Sequence, residues 1–453
     1  MPIHENPVVL SVPGQGLPAG TRIRSFVLRN ETSCPGMACQ VMTLGATLTH
    51  LWVPDSQAQQ RDVVVGFDDL TAYRTLHDPY FGASVGRIAN RIGNGELSLP
   101  GNPTTVYTLD KNNGPHSLHG GVAGLSHKNW EVVNDDHDND DPGKKDQRKG
   151  TSITFRVVSE HLDQGFPGRL SVECTYTLVD RALEIVYRAR LMEEEEEKEG
   201  KGTGSGSSIE ETIVSLTNHA YFNLDGVRPP PSPPRPISSA SSDSSGMPKA
   251  TMTAISATCL DHWLQLENVE HYLETDATSL PTGVLVQLAD QPTMDFRVAK
   301  RIGQDLRHVP LVEHCRGYDH FFVSKAYNNN NSNDSNGSEN DNDDLTVLAK
   351  ISSPDSHIRL AVSTTEPGFQ LYTANWVHVP PALIDAHTTT TTAITTTTGK
   401  AAAGYGAHVG FCIEASRFPD AVHHPAWLPQ VLLRRGGQQY RARTRFEFGI
   451  IDG

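Results

Sequence analysis

The chain predicts an all-β fold, a large antiparallel sandwich or barrel. Apolar and polar residues alternate with period 2 through most of the ordinary sequence, in short stretches separated by Gly, Pro, Asn and Asp. Long helical periodicity is absent. A pleated strand turns successive side chains to opposite faces, so alternation is what a sheet with one buried face requires. Many short strands with turn residues between them point to packed antiparallel sheets.

The clearest element is a hairpin. Leu170, Val172, Cys174, Tyr176 and Leu178 are apolar with polar residues between them. After a turn at Asp180-Arg181, the pattern resumes with Leu183, Ile185, Tyr187, Ala189 and Leu191. A strand at 153–159 precedes it. Strands at 211–217, 283–288, 319–325, 345–351, 357–364, 369–376 and 408–415 follow. The last, 440–450, sets Tyr440, Ala442, Thr444, Phe446 and Phe448 against Arg441, Arg443, Arg445 and Glu447.

Low-complexity tracts interrupt this pattern at about 134–150, 193–208, 229–246, 328–344 and 387–399. They lack the apolar content that offsets ordering entropy, so each is expected to be a disordered surface loop. Lengthening a loop costs only about 0.6 kcal/mol per doubling. The tracts therefore read as insertions in turns, and residues 1–453 as a single domain.

The formal charge of −15 is concentrated in these tracts. Segments 134–150, 193–201 and 328–344 hold 17 Asp/Glu and 6 Lys/Arg, which is 11 of the 15 net negatives. The remainder is nearly balanced and has no basic face, so no nucleic-acid partner is expected. No apolar run approaches the roughly 20 residues that a membrane-spanning helix needs. The first residues, MPIHENPVVLSVPG, lack a basic start followed by an apolar core, so a cytoplasmic protein with no membrane partner is expected. The 6 cysteines are too sparse for a disulfide framework. Cys174 and Cys412 lie in strand-like apolar settings, where a buried thiol acts as a small hydrophobe.

Four polar clusters stand out: NNGPHSLHGG (112–121), NHAYFNLDG (218–226), GYDHFFV (317–323) and GFCIEAS (410–416). They place His119, His219, Asp319 and Glu414 among residues that favour burial, where an ionisable group is costly unless paired or used. In GFCIEAS, Phe411 and Ile413 share one strand face, and Cys412 and Glu414 the other. An inward carboxylate there would be shifted toward neutral unless hydrogen-bonded. His219 follows a β-like run, and His119 sits in a Gly-rich turn that lets a ligand approach the backbone. Taken singly, each also reads as an ordinary core or surface residue. The chain has no H-E-x-x-H, no G-x-S-x-G, no G-x-G-x-x-G after a strand and no phosphate-binding P-loop. Metal, nucleophilic-hydrolase, dinucleotide and nucleotide chemistry are accordingly not expected.

GRIANRI (86–92), the four clusters and TTEPGFQLYTAN (364–375) together resemble the aldose 1-epimerases, or galactose mutarotases, in the same order along roughly residues 40–450. The resemblance implies a β-supersandwich with an open cleft, no cofactor and no metal. It implies that Glu414 is the general base and His219 the general acid. Asn90, Arg91, His119, Asp319 and Gln370 would contact a small-molecule sugar. The reaction implied is interconversion of the α and β anomers of free hexoses such as galactose and glucose. Two positions depart from the family pattern, His116 and Phe321, and both are expected to bear on the preferred sugar. A hexose-6-phosphate 1-epimerase and a non-catalytic carbohydrate-binding protein on the same fold are the alternatives. The first would need added cations for the phosphate, whereas the second would need neither Glu414 nor His219. The sequence leaves the choice between monomer and homodimer open.

Overall fold

The computed structural model describes residues 4–9, 17, 20–30, 36–76, 79–133, 151–192, 209–227, 258–329, 344–380 and 404–451. The expected insertions at 134–150, 193–208, 229–246 and 387–399 lie outside the described residues, as do Cys34 and most of the tract at 328–344.

Two antiparallel sheets form the body of the fold. In the nine-stranded sheet the order is Glu131–Val133, Ser152–Ser159, Leu170–Val179, Ala182–Leu191, Tyr440–Ile450, Ile358–Thr364, Thr346–Ser352, Trp263–Leu266 and Lys300–Arg301. The hairpin forms as expected: Val179 pairs with Ala182 across the turn, where Asp180 takes φ 53°. The C-terminal strand enters the middle of this sheet, with Phe446 opposite Leu183 on one side and Val362 on the other. The six-stranded sheet runs Tyr221–Phe222, Phe411–Ser416, Gly368–Tyr372, Asp319–Ser324, Val269–Thr275 and Pro281–Gln287.

The two sheets face each other across one apolar core. Phe222 of the six-stranded sheet packs on Phe446 of the nine-stranded sheet, ring centroids 5.0 Å apart. Phe411, Ile413, Phe369, Leu371 and Phe322 enter the same core, so alternate residues on those strands must face away from it. A five-stranded N-terminal sheet, from His4–Val9 to Gln60–Asp62, completes the packing; its Phe26 meets Phe155, ring centroids 6.0 Å apart.

Several expected strands are shorter than the pattern indicated. Segment 211–217 divides into Glu211–Ile213, paired with Leu432–Arg434, and Thr217–Asn218, paired with Ser84–Val85. The strand expected at 369–376 ends at Tyr372. Beyond it Ala374 takes φ 51°, and the Asn375 Nδ2 donates to the Tyr318 carbonyl at 2.9 Å. The strand expected at 408–415 begins at Phe411, after His408 at φ 63°. No described helix is long and apolar enough to cross a membrane.

Candidate active site

The face of the six-stranded sheet turned away from the main core presents the first wall of the site. Register sets Gln370 opposite Glu414, Tyr372 opposite both Asp319 and Cys412, and Cys412 opposite Tyr221. Asp319, Gln370 and Glu414 therefore stand on three neighbouring strands. The Gln370 Nε2 donates to the Asp319 Oδ1 at 2.6 Å, which fixes the amide's orientation.

The second wall is built from turns. Asn90 takes φ 63° just before the short strand Arg91–Ile92, which pairs with Ser117–Leu118. The Asn90 Oδ1 accepts from the Arg91 backbone N–H at 2.9 Å, and the Arg91 Nε donates to the Asn113 Oδ1 at 3.0 Å. Behind this turn Arg87 is buried, 1 % exposed, and donates to the Ser159 Oγ and to the carbonyls of Ser159, Glu160 and Pro167. His119 takes φ 52° and is followed by Gly120 at φ 85°. A Cβ on Gly120 would lie 1.9 Å from the Gly86 carbonyl oxygen, so this close approach requires glycine.

Glu414 and His219 meet where the walls converge, in a cleft of about 640 Å³ that all seven expected site residues line. The His219 Nε2 lies 3.6 Å from the Glu414 Oε1, and the two residues are 4 % and 5 % exposed. That separation is too long for a good hydrogen bond and close enough for both groups to reach one ligand atom pair. Burial pushes the Glu414 carboxyl well above its usual range; the Asp319 charge adds to this and Arg91 opposes it. Burial, with the charges of His219 and Arg91, holds His119 well below its usual range, so that ring is neutral.

His119, His219 and Glu414 have donor atoms within 4.8 Å of one another, the composition of a two-histidine, one-carboxylate metal site. The His119 tautomer does not fit a metal. Its Nδ1 accepts the Asn90 N–H at 3.2 Å, so in the neutral ring the proton is on Nε2. Neither nitrogen then offers a free lone pair. The Nε2–H is instead a donor suited to a hydroxyl oxygen.

Other residues of the site escaped the reading of the sequence. Tyr221, Tyr372 and Trp376 line the cleft, as does Tyr80. Tyr80 and Tyr221 both lie nearly parallel to the His219 ring, with interplanar angles of 12° and 13°. Cys412, expected to be only a small hydrophobe, also places its Sγ 3.6 Å from the His219 Nδ1. Tyr221, Tyr372 and Cys412 are each two residues from a recognised site residue, so period 2 alone could have found them. Tyr80 carries no such signal. Phe321 does not line the cleft, contrary to expectation; it packs on Phe418, ring centroids 5.3 Å apart. His116 does line it.

Comparison with known proteins agrees with this architecture. The family model described as Aldose 1-epimerase matches residues 27–233 and 252–447. The chain is 31% identical to the galactose mutarotase of Bos taurus over 434 residues, 96% of each chain. It is 27% identical to the aldose 1-epimerase of Escherichia coli K12, covering 95% of this chain and 96% of that one. Among solved structures, an aldose epimerase homologue from C. elegans superposes with a TM-score of 0.66 at 25% identity, covering 94% of this chain and 98% of its own. The chain belongs to the aldose 1-epimerase family.

Proposed function

We propose that the protein interconverts the α and β anomers of free aldoses, with hexoses such as galactose and glucose as substrates. The observation that carries this reading is the buried Glu414–His219 pair, 3.6 Å apart in a cleft lined with groups suited to hydroxyls. Ring opening needs one proton removed from O1 and one delivered to O5, and both oxygens are bonded to C1. A base and an acid held side by side can serve both at once.

In the productive state Glu414 is a carboxylate and His219 an imidazolium. Glu414 takes the O1 proton as the C1–O5 bond breaks, and His219 gives its proton to O5. The product is the open-chain aldehyde. Rotation about C1–C2 turns the other carbonyl face to O5. His219 then removes the O5 proton, O5 attacks C1, and Glu414 returns its proton to O1. A carboxyl raised by burial is a stronger base than an exposed one, which suits removal of a hemiacetal proton. Neutral His119, Arg91, Asn90, Asp319 and Gln370 supply donors and acceptors for the remaining hydroxyls.

The phosphosugar alternative gains no support. Among the described residues lining the cleft, Arg91 is the only Arg or Lys. Arg443 and Arg445 are instead paired with Glu184 on the nine-stranded sheet, at 3.0 and 2.7 Å.

Polarimetry of freshly dissolved α-D-galactose and α-D-glucose tests the proposal. Equilibration faster than in the buffer blank is expected. Blank-like rates on both sugars would refute it.

A further inference from the structure

His116 lines the cleft beside Asn113 and Leu118 and is 4 % exposed. The tight turn that carries it is closed by backbone bonds from the His116 N–H to the Asn113 carbonyl at 3.1 Å, and from the Asn113 N–H to the His116 carbonyl at 3.2 Å. Its Nδ1 accepts the Asn94 backbone N–H at 3.1 Å. An imidazole nitrogen that accepts a hydrogen bond carries no proton, so in the neutral ring the proton is on Nε2. That Nε2 is buried and has no hydrogen-bond partner among the described residues. Buried donors are almost always satisfied, and one left unsatisfied on a residue that lines a binding cleft calls for a ligand acceptor.

We propose that His116 is a sugar-contacting specificity residue, whose Nε2–H donates to a substrate hydroxyl oxygen other than O1 and O5. This rests on the proposed sugar-epimerising function, and it gives His116, whose departure from the family pattern was expected to bear on the preferred sugar, a defined donor role. The contact holds the part of the sugar that does not react, so its removal should weaken binding of substrate and transition state alike.

The test separates the two ring nitrogens. His116→Asn can keep an acceptor for the Asn94 N–H but cannot supply a donor at the Nε2 position. His116→Gln can supply that donor. Both variants are assayed on galactose, glucose and their mono-deoxy derivatives, with thermal midpoints measured alongside. The expected result for His116→Asn is an unchanged midpoint, a KM about tenfold higher and a kcat within about twofold, since tenfold corresponds to roughly 1.4 kcal/mol. On one deoxy sugar the wild type should already show that loss, and His116→Asn should add nothing. His116→Gln should recover at least part of the KM. A wild-type KM in His116→Asn on every sugar would overturn the proposal. So would a lowered midpoint with unchanged KM, which would make the residue purely structural. Wild-type inactivity on every sugar would instead remove the functional reading, and this proposal with it.

Discussion

Replacing Glu414 with glutamine should damage activity and raise stability, with the second effect depending on pH. Glutamine keeps the shape of the side chain and its place opposite Gln370, so the strand Phe411–Ser416 should be undisturbed. It cannot accept the O1 proton. General acid–base assistance is worth about 10²–10⁴-fold, or roughly 3–5 kcal/mol of barrier, and most of that should vanish. The stability effect follows from the raised carboxyl pKa. The folded protein binds this proton more tightly than the unfolded chain does. Below the unfolded carboxyl pKa, near 4.5, both states are protonated and the site is neutral to stability. As pH rises from there through the folded pKa, the unfolded chain releases the proton first and folding weakens. The loss is up to about 1.4 kcal/mol per pH unit across that window. Glu414→Gln has no proton to lose. Its urea midpoint should match wild type near pH 4.5 and exceed it at pH 8. A variant less stable than wild type at pH 8, or one with wild-type mutarotation, would refute the reasoning.

Asp319→Asn removes the charge that adds to burial in raising Glu414. The acid limb of kcat/KM should move to lower pH, yet stay above an exposed glutamate's because burial remains; a limb that stays put would contradict the coupling. Gly120→Ala combines φ 85° with a Cβ 1.9 Å from the Gly86 carbonyl oxygen. It should cost roughly 2–4 kcal/mol by denaturant titration and lower kcat/KM by shifting the turn at Asn90. Arg87→Met would strip donors from the Ser159 Oγ and from three carbonyls, at roughly 3–5 kcal/mol of stability.

Alternation exposed the strands that bury one face. Leu170–Val179 and Ala182–Leu191 alternate in burial along most of their length, and both were legible. The N-terminal sheet was not. Met37–Met42 and Thr47–Pro54 are buried on nearly every residue, so neither face needed polar side chains and no period-2 signal arises. The site was legible where a charged or polar group interrupted apolar sequence, as at His219 and Glu414. It was illegible where an aromatic residue such as Tyr80 serves the site, because tyrosine is as much at home in a core. The tautomers of His119 and His116 were also out of reach, since backbone N–H groups from Asn90 and Asn94 set them.

The central claim is that Glu414 and His219 together open and close a sugar ring. NMR exchange spectroscopy on galactose at anomeric equilibrium tests it directly, because α-to-β transfer of C1–H magnetisation reports ring opening itself. Wild type should give exchange cross-peaks far above the uncatalysed rate, and Glu414→Gln and His219→Gln should each bring them close to it. Wild-type-like exchange in either variant would contradict the account.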